Sequence, residues 1–423
     1  MKQKRSRRHL YFSPGRSIAL VVLLVVVIFS PGKTMAQTID LLIKKGHVID
    51  PKNHIDAIMD VAISEGKIHS VGKNISVKAK KVIDASGLYV CPGLIDLHAH
   101  LYKGTTLKTF ANGFSSVSPD DFSFRSGITT MVDAGTSGWR NFPDFKVQVI
   151  EPSATRVLAF LNIVGVGMVG PPEEQNLEDM NPQITADMAA RFDNLIVGIK
   201  IGHYTGTDWT PFERTLEASR LTEKPLLLEC HLPELPLEEV LLKMRSGDIF
   251  THAFGKVSDR MSILDDNNEI RPFVTAAREK GIRFDVGHGG GSFHYSVAMP
   301  AMKQGFYPDS FGTDLHRFSM NAGMKDMLNI MSKYLTLGMD VQDIIFRASW
   351  SPALSIKRPD LGNLDVGAEA DIAVLGIREG SFGFIDSGGN KVTGKRKFEA
   401  EMTIRAGKIV WDLNGLAATE VKN

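Results

Sequence analysis

Short apolar runs alternate with longer amphipathic stretches through the middle of the chain. The runs fall at 94–97, 128–133, 157–164, 195–201, 225–230, 249–251, 283–286 and 310–313. Strand-like runs separated by helical patterns are the mark of βα units and a parallel sheet. Eight of them between about 90 and 360 predict a (β/α)8 barrel, which needs roughly 250 residues. The flanks read differently. Residues 38–90 carry short strand patterns broken by Gly46, Asp50-Pro51 and Gly66, which predict a small antiparallel sheet. Residues 362–415 repeat that style, with Asp371–Leu375, a Gly/Ser-rich loop from Gly380 to Gly394, and a final run Ala400–Trp411. The expected fold is therefore α/β: a barrel over 91–360 with a flanking β-sandwich built from both termini, 37–90 and 361–423.

The first 36 residues stand outside that plan. Lys2, Lys4, Arg5, Arg7, Arg8 and Arg16 lead into a twelve-residue apolar core, Ile18–Phe29. That is shorter than the roughly 20 residues that cross a bilayer as a helix. Ser30-Pro31-Gly32 breaks it, and Thr34 and Ala36 supply small residues before Gln37. The pattern predicts a signal peptide cut between Ala36 and Gln37, and a periplasmic or secreted protein with no membrane contact after cleavage. Ser6-Arg7-Arg8-His9-Leu10 resembles a twin-arginine motif, whereas the strongly apolar core suits general secretion, so the export route stays open.

Charge then narrows the partners. The whole chain balances at +1. Without the seven cations of the first 36 residues, 42 basic residues face 48 acidic ones, a balance of −6. A mildly acidic body excludes nucleic acid as the expected partner, because phosphate binding needs a clustered basic surface. Cys91 and Cys230 lie in apolar runs and read as small buried hydrophobes rather than a disulfide framework.

The chemistry sits at the ends of the barrel runs. In Gly93-Leu94-Ile95-Asp96-Leu97-His98-Ala99-His100, strand alternation points His98 and His100 the same way, at the catalytic end of the first strand. Two imidazoles side by side make half of a metal site. Lys200, His231, His252 and Asp314 each end a later run, and each is a potential ligand at the same rim. Gly165-Val166-Gly167-Met168-Val169-Gly170 spells G-x-G-x-x-G, but Pro171-Pro172-Glu173-Glu174 follows where a dinucleotide site needs a helix. That stretch is expected to be a mobile loop over the pocket.

With these residues in view, the chain resembles the amidohydrolase superfamily, metal-dependent (β/α)8 barrels with a flanking β-sandwich. Val90-Cys91-Pro92-Gly93-Leu94-Ile95-Asp96-Leu97-His98-Ala99-His100 and Gly367-Ala368-Glu369-Ala370-Asp371-Ile372-Ala373-Val374-Leu375 carry the likeness, which spans nearly all of 38–415. The resemblance implies two divalent metal ions, with zinc favoured by four imidazoles. It implies His98, His100 and Asp314 on the first, His231 and His252 on the second, and Lys200 bridging both as a carbamate formed with carbon dioxide (N6-carboxylysine). An ammonium buried beside two dications is repelled, which favours the neutral amine that can capture carbon dioxide. The metals would supply an activated hydroxide, with Asp314 accepting its proton and returning it to the leaving group.

Subgroups differ in what surrounds this centre. Dihydroorotase-like members carry an arginine two residues after H-x-H, where this chain has Tyr102 followed by Lys103. Asp285–Phe293 and Gly312–Arg317 resemble a deacetylase-like branch acting on N-acetyl-D-amino acids or α-acetoxy acids. There His288 and His203 are candidate substrate contacts, and Arg317 is either a clamp for a substrate carboxylate or a surface ion pair. The sequence thus predicts an exported binuclear metallohydrolase cleaving an amide or ester acyl bond in a small carboxylate-bearing substrate, and a homo-oligomer is compatible with it. The alternatives are a cyclic amidohydrolase of dihydroorotase or hydantoinase type, a D-aminoacylase, and a non-catalytic metal- or ligand-binding barrel.

Overall fold

The computed structural model describes residues 39–104, 115–229, 235–256 and 260–421. The expected signal peptide, Cys230 and His231 lie outside the described residues.

Five strands come first: β1 (Ile39–Asp50), β2 (Ile55–Ser64), β3 (Lys67–Gly72), β4 (Ala79–Asp84) and β5 (Tyr89–Pro92). Seven more build the barrel: β6 (Leu94–Ala99), β7 (Ile128–Gly138), β8 (Arg156–Asn162), β9 (Ile196–Ile201), β10 (Leu226–Leu228), β11 (Ile249–Phe250) and β12 (Arg283–Phe284). The chain returns to the flanking layer with β13 (Ile372–Ile385), β14 (Lys391–Arg405) and β15 (Lys408–Asp412).

The barrel strands pair in parallel in the order β12-β11-β10-β9-β8-β7-β6. The eighth expected run closes the ring. Ser310 bridges Asp285 beyond β12, and Leu315 bridges Ala99 at the end of β6, both in parallel. Closure leaves no open edge, and it brings all the strands' carboxyl ends to one rim. Ile95, Leu97, Val132, Leu158, Phe160, Val197, Leu227 and Ile249, drawn from β6 through β11, form one buried apolar cluster joined by Ala353, Ile356 and Leu361. Strands buried on both faces need such continuous apolar runs, which is why the sequence marked them clearly.

The sandwich strands run β15-β14-β13-β5-β1-β2-β3, with β4 on β1. Strands from both ends of the described chain thus share one core, in which Leu41, Ile43, Val61 and Ile63 pack with Val374, Met402 and Ile404. Two expectations need correction. The N-terminal strands are not purely antiparallel, since β4 and β5 both pair with β1 in parallel. β2 occupies one edge of β1, and β4 and β5 take the other edge, running in the same direction as β1. The Gly380–Gly394 segment is mostly not a loop. β13 and β14 run through it as one long hairpin with a bulge between Glu379 and Phe382. Only 386–390 turns, where the Asp386 carboxylate accepts from the amides of Gly388 and Asn390.

Candidate metal centre

Strand alternation along β6 puts Asp96, His98 and His100 on one side. Asp96 works as a brace. Its carboxylate accepts from the amides of His98 and Thr313 and from the Thr313 hydroxyl. It thereby ties β6 to the segment that carries Asp314. Burial pushes the Asp96 carboxyl up to about 7 despite those bonds.

His98 is fully buried. Its Nδ1 lies 3.0 Å from Thr251 Oγ1, and that hydroxyl donates to Asp285 Oδ2 at 2.8 Å. The hydroxyl's one proton is spent on Asp285, so His98 Nδ1 must donate and Nε2 is left with its lone pair. Burial drives the imidazole down to about 4, with the positive charge of Lys200 adding to it, so the ring is neutral. Asp285 is held below the usual carboxylate range: burial opposes this, and the nearby His98 ring with the bonds from Ser310 and Thr251 outweighs it.

His98 Nε2, His100 Nε2 and Asp314 Oδ1 converge. The carboxylate oxygen lies 3.6 Å from the first and 2.9 Å from the second. Ligand atoms of all three residues fall within 4.8 Å of one another. Ligand atoms around a tetrahedral zinc sit about 3.3 Å apart when its bonds are about 2.0–2.1 Å, so this trio fits a cation. His98 Nε2, buried and without a hydrogen-bond partner, is the atom a metal would satisfy. Burial opposes ionisation of Asp314, but His100, His98 and His316 outweigh it and hold the carboxyl far below its ordinary range.

The other expected residues arrive from neighbouring strands. Lys200, near the end of β9, is fully buried. Its stem passes Gly135, where a Cβ would lie 2.6 Å from Lys200 Cγ. His252 follows β11, with Nδ1 2.6 Å from Gly287 O and its ring centroid 5.1 Å from that of His98. His203, His252 and Asp314 all hold left-handed backbone, with φ of 58°, 59° and 51°. Such conformations in non-glycine residues gather where side chains must be aimed at a site. The structure therefore brings His98, His100, Lys200, His252 and Asp314 to one rim.

Sequence reading missed Glu229, His316 and Thr251. Glu229, one residue past β10, places Oε2 2.8 Å from Lys200 Nζ, and Oε1 3.1 Å from His203 Nε2 and 3.3 Å from His252 Nε2. His316 stacks edge-on to His100 at 6.0 Å between centroids.

The two histidines expected to touch substrate are committed elsewhere. His203 Nδ1 bonds Glu174 Oε2 at 3.0 Å, and its other nitrogen faces Glu229. Burial alone would lower this imidazole, but Glu229 and Glu174 outweigh it and hold it protonated, at about 10. His288 is fully buried and stacks on Phe293 at 4.7 Å. Its Nδ1 bonds Gly289 O at 2.9 Å and its Nε2 meets Lys333 Nζ at 2.6 Å. In both rings each nitrogen meets a partner within the protein. Arg317 is exposed at the rim, its amide donating to Ser115 O at 2.7 Å. The expected mobile loop is also pinned: Glu174 is buried and accepts from the Gly170 amide, and the Gln175 side chain donates to His203 O.

Comparison with known proteins places this geometry in a group. The model of the Amidohydrolase family matches residues 294–410. A deacetylase of Brucella anthropi is 32% identical over 360 residues, covering 83% of this chain and 87% of its own. A deacetylase of Agrobacterium fabrum is 34% identical over 349 residues, 80% of this chain and 83% of its own. A crystal structure described as that of an adenine deaminase superposes with a TM-score of 0.80 at 30% identity, covering 88% of this chain and 100% of that one. Two names point to deacetylation and one to deamination, so the likeness reaches further in scaffold than in substrate.

Proposed function

The chain belongs to the amidohydrolase family and is a hydrolytic enzyme acting on carbon–nitrogen bonds; from that premise we propose that it is an exported, binuclear deacetylase of small carboxylate-bearing substrates. The observation that carries this reading is the His98–His100–Asp314 cluster at the strand ends of a barrel that aligns over most of its length with two deacetylases. N-acetyl-D-amino acids and α-acetoxy acids are the substrate classes it favours. Residues 1–36 are read as the export signal.

His98, His100 and Asp314 would hold one cation, and His231 and His252 the other, with Lys200 as a carbamate between them. When bound, two divalent cations, zinc by preference, supply Lewis acidity that polarises the scissile carbonyl and makes water acidic near neutral pH. The protein's residues do the rest. Asp314 is ionised and its Oδ1 stands at the His98–His100 edge of the site, where it would accept a proton from the attacking water. The same carboxyl then donates to the departing amine or alkoxide. Asp285 and Thr251 hold the His98 ring in the tautomer that presents Nε2 to a cation. Arg317, on the exposed rim three residues after Asp314, would pair with the substrate carboxylate.

The test is a product assay on zinc-loaded protein. The panel is N-acetyl-D- and N-acetyl-L-amino acids, α-acetoxy acids, dihydroorotate, hydantoins and adenine. Acetate release from the N-acetyl-D-amino acids and the α-acetoxy acids is expected. Ring opening or ammonia release without acetate would overturn the deacetylase assignment in favour of a cyclic amidase or a deaminase.

A further inference from the structure

We infer that Glu229 is a further ligand of the metal centre, a carboxylate that binds the cation faced by His252. The inference rests on the two-cation reading above. In sequence Glu229 stands two residues before His231, the spacing that pairs His98 with His100. Its carboxylate is 4% exposed, and it meets three different site residues: Lys200, His203 and His252.

The contact with His252 is the informative one. Gly287 O can only accept, so His252 Nδ1 donates to it, and the other ring nitrogen, Nε2, is aimed at Glu229 Oε1, 3.3 Å away. That separation matches the edge of about 3.3 Å between neighbouring ligand atoms around tetrahedral zinc. The same pairing occurs on the other side of the site. There His98 donates through Nδ1 to Thr251 and turns its Nε2 lone pair to Asp314 Oδ1 at 3.6 Å. Each flank of the centre thus sets an imidazole Nε2 against a carboxylate oxygen.

The surroundings of Glu229 are those of a supported ligand. Ligating carboxylates are themselves hydrogen-bonded, which fixes their orientation. His203 Nε2 lies 3.1 Å from Oε1, and Glu174 fixes His203 from its other nitrogen. Glu174 comes from the loop after β8, so that loop serves the metal site through two side chains. Gly202 leaves the carboxylate its space, because a Cβ there would lie 2.3 Å from Oε2.

The experiment uses the mature chain stripped with a chelator and reloaded with zinc or, in parallel, cobalt(II). Bound equivalents are counted by mass spectrometry after dialysis at fixed free metal, and the visible cobalt spectrum reports the ligand field. The wild type should bind two equivalents. Glu229→Gln should keep the first equivalent and bind the second at least about tenfold more weakly, with an altered cobalt spectrum. The retained first equivalent shows that the variant is folded. Gly202→Ala, whose Cβ would lie 2.3 Å from Glu229 Oε2 and 3.3 Å from Lys200 Cε, should also weaken the second equivalent by crowding the carboxylate out of place. A Glu229→Gln protein with two equivalents, unchanged affinity and an unchanged spectrum overturns the inference and leaves Glu229 as a counter-ion of Lys200. A wild type that never takes a second cation overturns the two-cation reading and this inference together.

Discussion

His100 Nε2 and Asp314 Oδ1 meet at 2.9 Å across 214 residues of sequence. The contact joins the first barrel strand to the last and is one edge of the candidate cation site. It also sets Asp314 apart from the imidazoles, since this residue is at once a ligand and the proposed proton carrier. Asp314→Asn keeps the size and one oxygen of the side chain while removing its basicity. We expect metal content close to that of the wild type and a loss of roughly 100- to 10,000-fold in kcat, the range for a general acid–base group. Metal analysis beside steady-state kinetics checks it, and a near-normal rate would remove Asp314 from proton transfer.

The barrel was legible because parallel strands buried on both faces must be apolar along their length, and the polar residue ending each run then stands out. Lys200 after Leu195–Ile199 and His252 after Ile249–Thr251 are such endings. Glu229 was missed although the rule that found His98 and His100 applies to it: Glu229 and His231 have the same i, i+2 spacing. Its place inside an apolar run, Leu226–Cys230, hid it. His203 and His288 were expected at the substrate because a histidine near the rim is a natural contact. Their partners, Glu174 and Lys333, come from segments whose approach no local pattern announces. The bend of the chain that gives β1 parallel neighbours was equally hidden, since strand propensity carries no direction.

Lys200 and Glu229 form a buried ion pair in the metal-free chain, with the lysine fully buried and the carboxylate 4% exposed. Removing one partner of such a pair strands the other charge, which typically costs about 3–5 kcal/mol, whereas removing both is far milder. Lys200→Met should therefore destabilise the metal-free protein by about that much, and adding Glu229→Gln should restore much of it. Urea unfolding of the single and double variants measures the coupling; additive losses would mean that the two groups do not pair in solution. Lys200→Ala has a second expected outcome. It should lose bound metal and activity, and a short carboxylic acid, fitting the space left by the side chain, should return part of the activity.

Cations held by groups from β6, β9, β11 and the closing segment would bind the folded chain and not the unfolded one. Binding of that kind stabilises by RT ln(1 + [L]/Kd), about 2.7 kcal/mol at a hundredfold excess over Kd. The melting temperature should rise with free zinc and fall in chelator. His98→Ala should flatten that dependence, because it removes the buried Nε2 that faces Asp314. Differential scanning calorimetry across a zinc series makes the comparison, and a melting temperature indifferent to metal would deny this centre any occupancy.

Lys333, on the helix Met327–Thr336, is buried beneath the rim and donates to Gly323 O at 2.7 Å and to His288 Nε2 at 2.6 Å. Burial pushes its amine down from 10.5 to about 7, against the opposing pull of Asp386 and Asp326 and with help from Lys325. A lysine lowered in the folded state binds fewer protons there than in the unfolded chain between those two values. Its burial penalty is therefore fully present below about pH 7 and fades as pH rises toward 10.5, so stability should climb through that window. One titrating proton gives a slope of up to about 1.4 kcal/mol per pH unit. Lys333→Met removes the titration and should remove that slope. It should also loosen His288, whose Nε2 then has no donor from the helix. Urea unfolding of metal-free wild type and variant at pH 7, 8, 9 and 10 should give curves that diverge upward for the wild type. The neutral amine keeps two protons, enough to serve both Gly323 O and His288, so the climb comes without loss of either bond. Parallel curves would mean that Lys333 titrates in the native protein as it does in the unfolded chain.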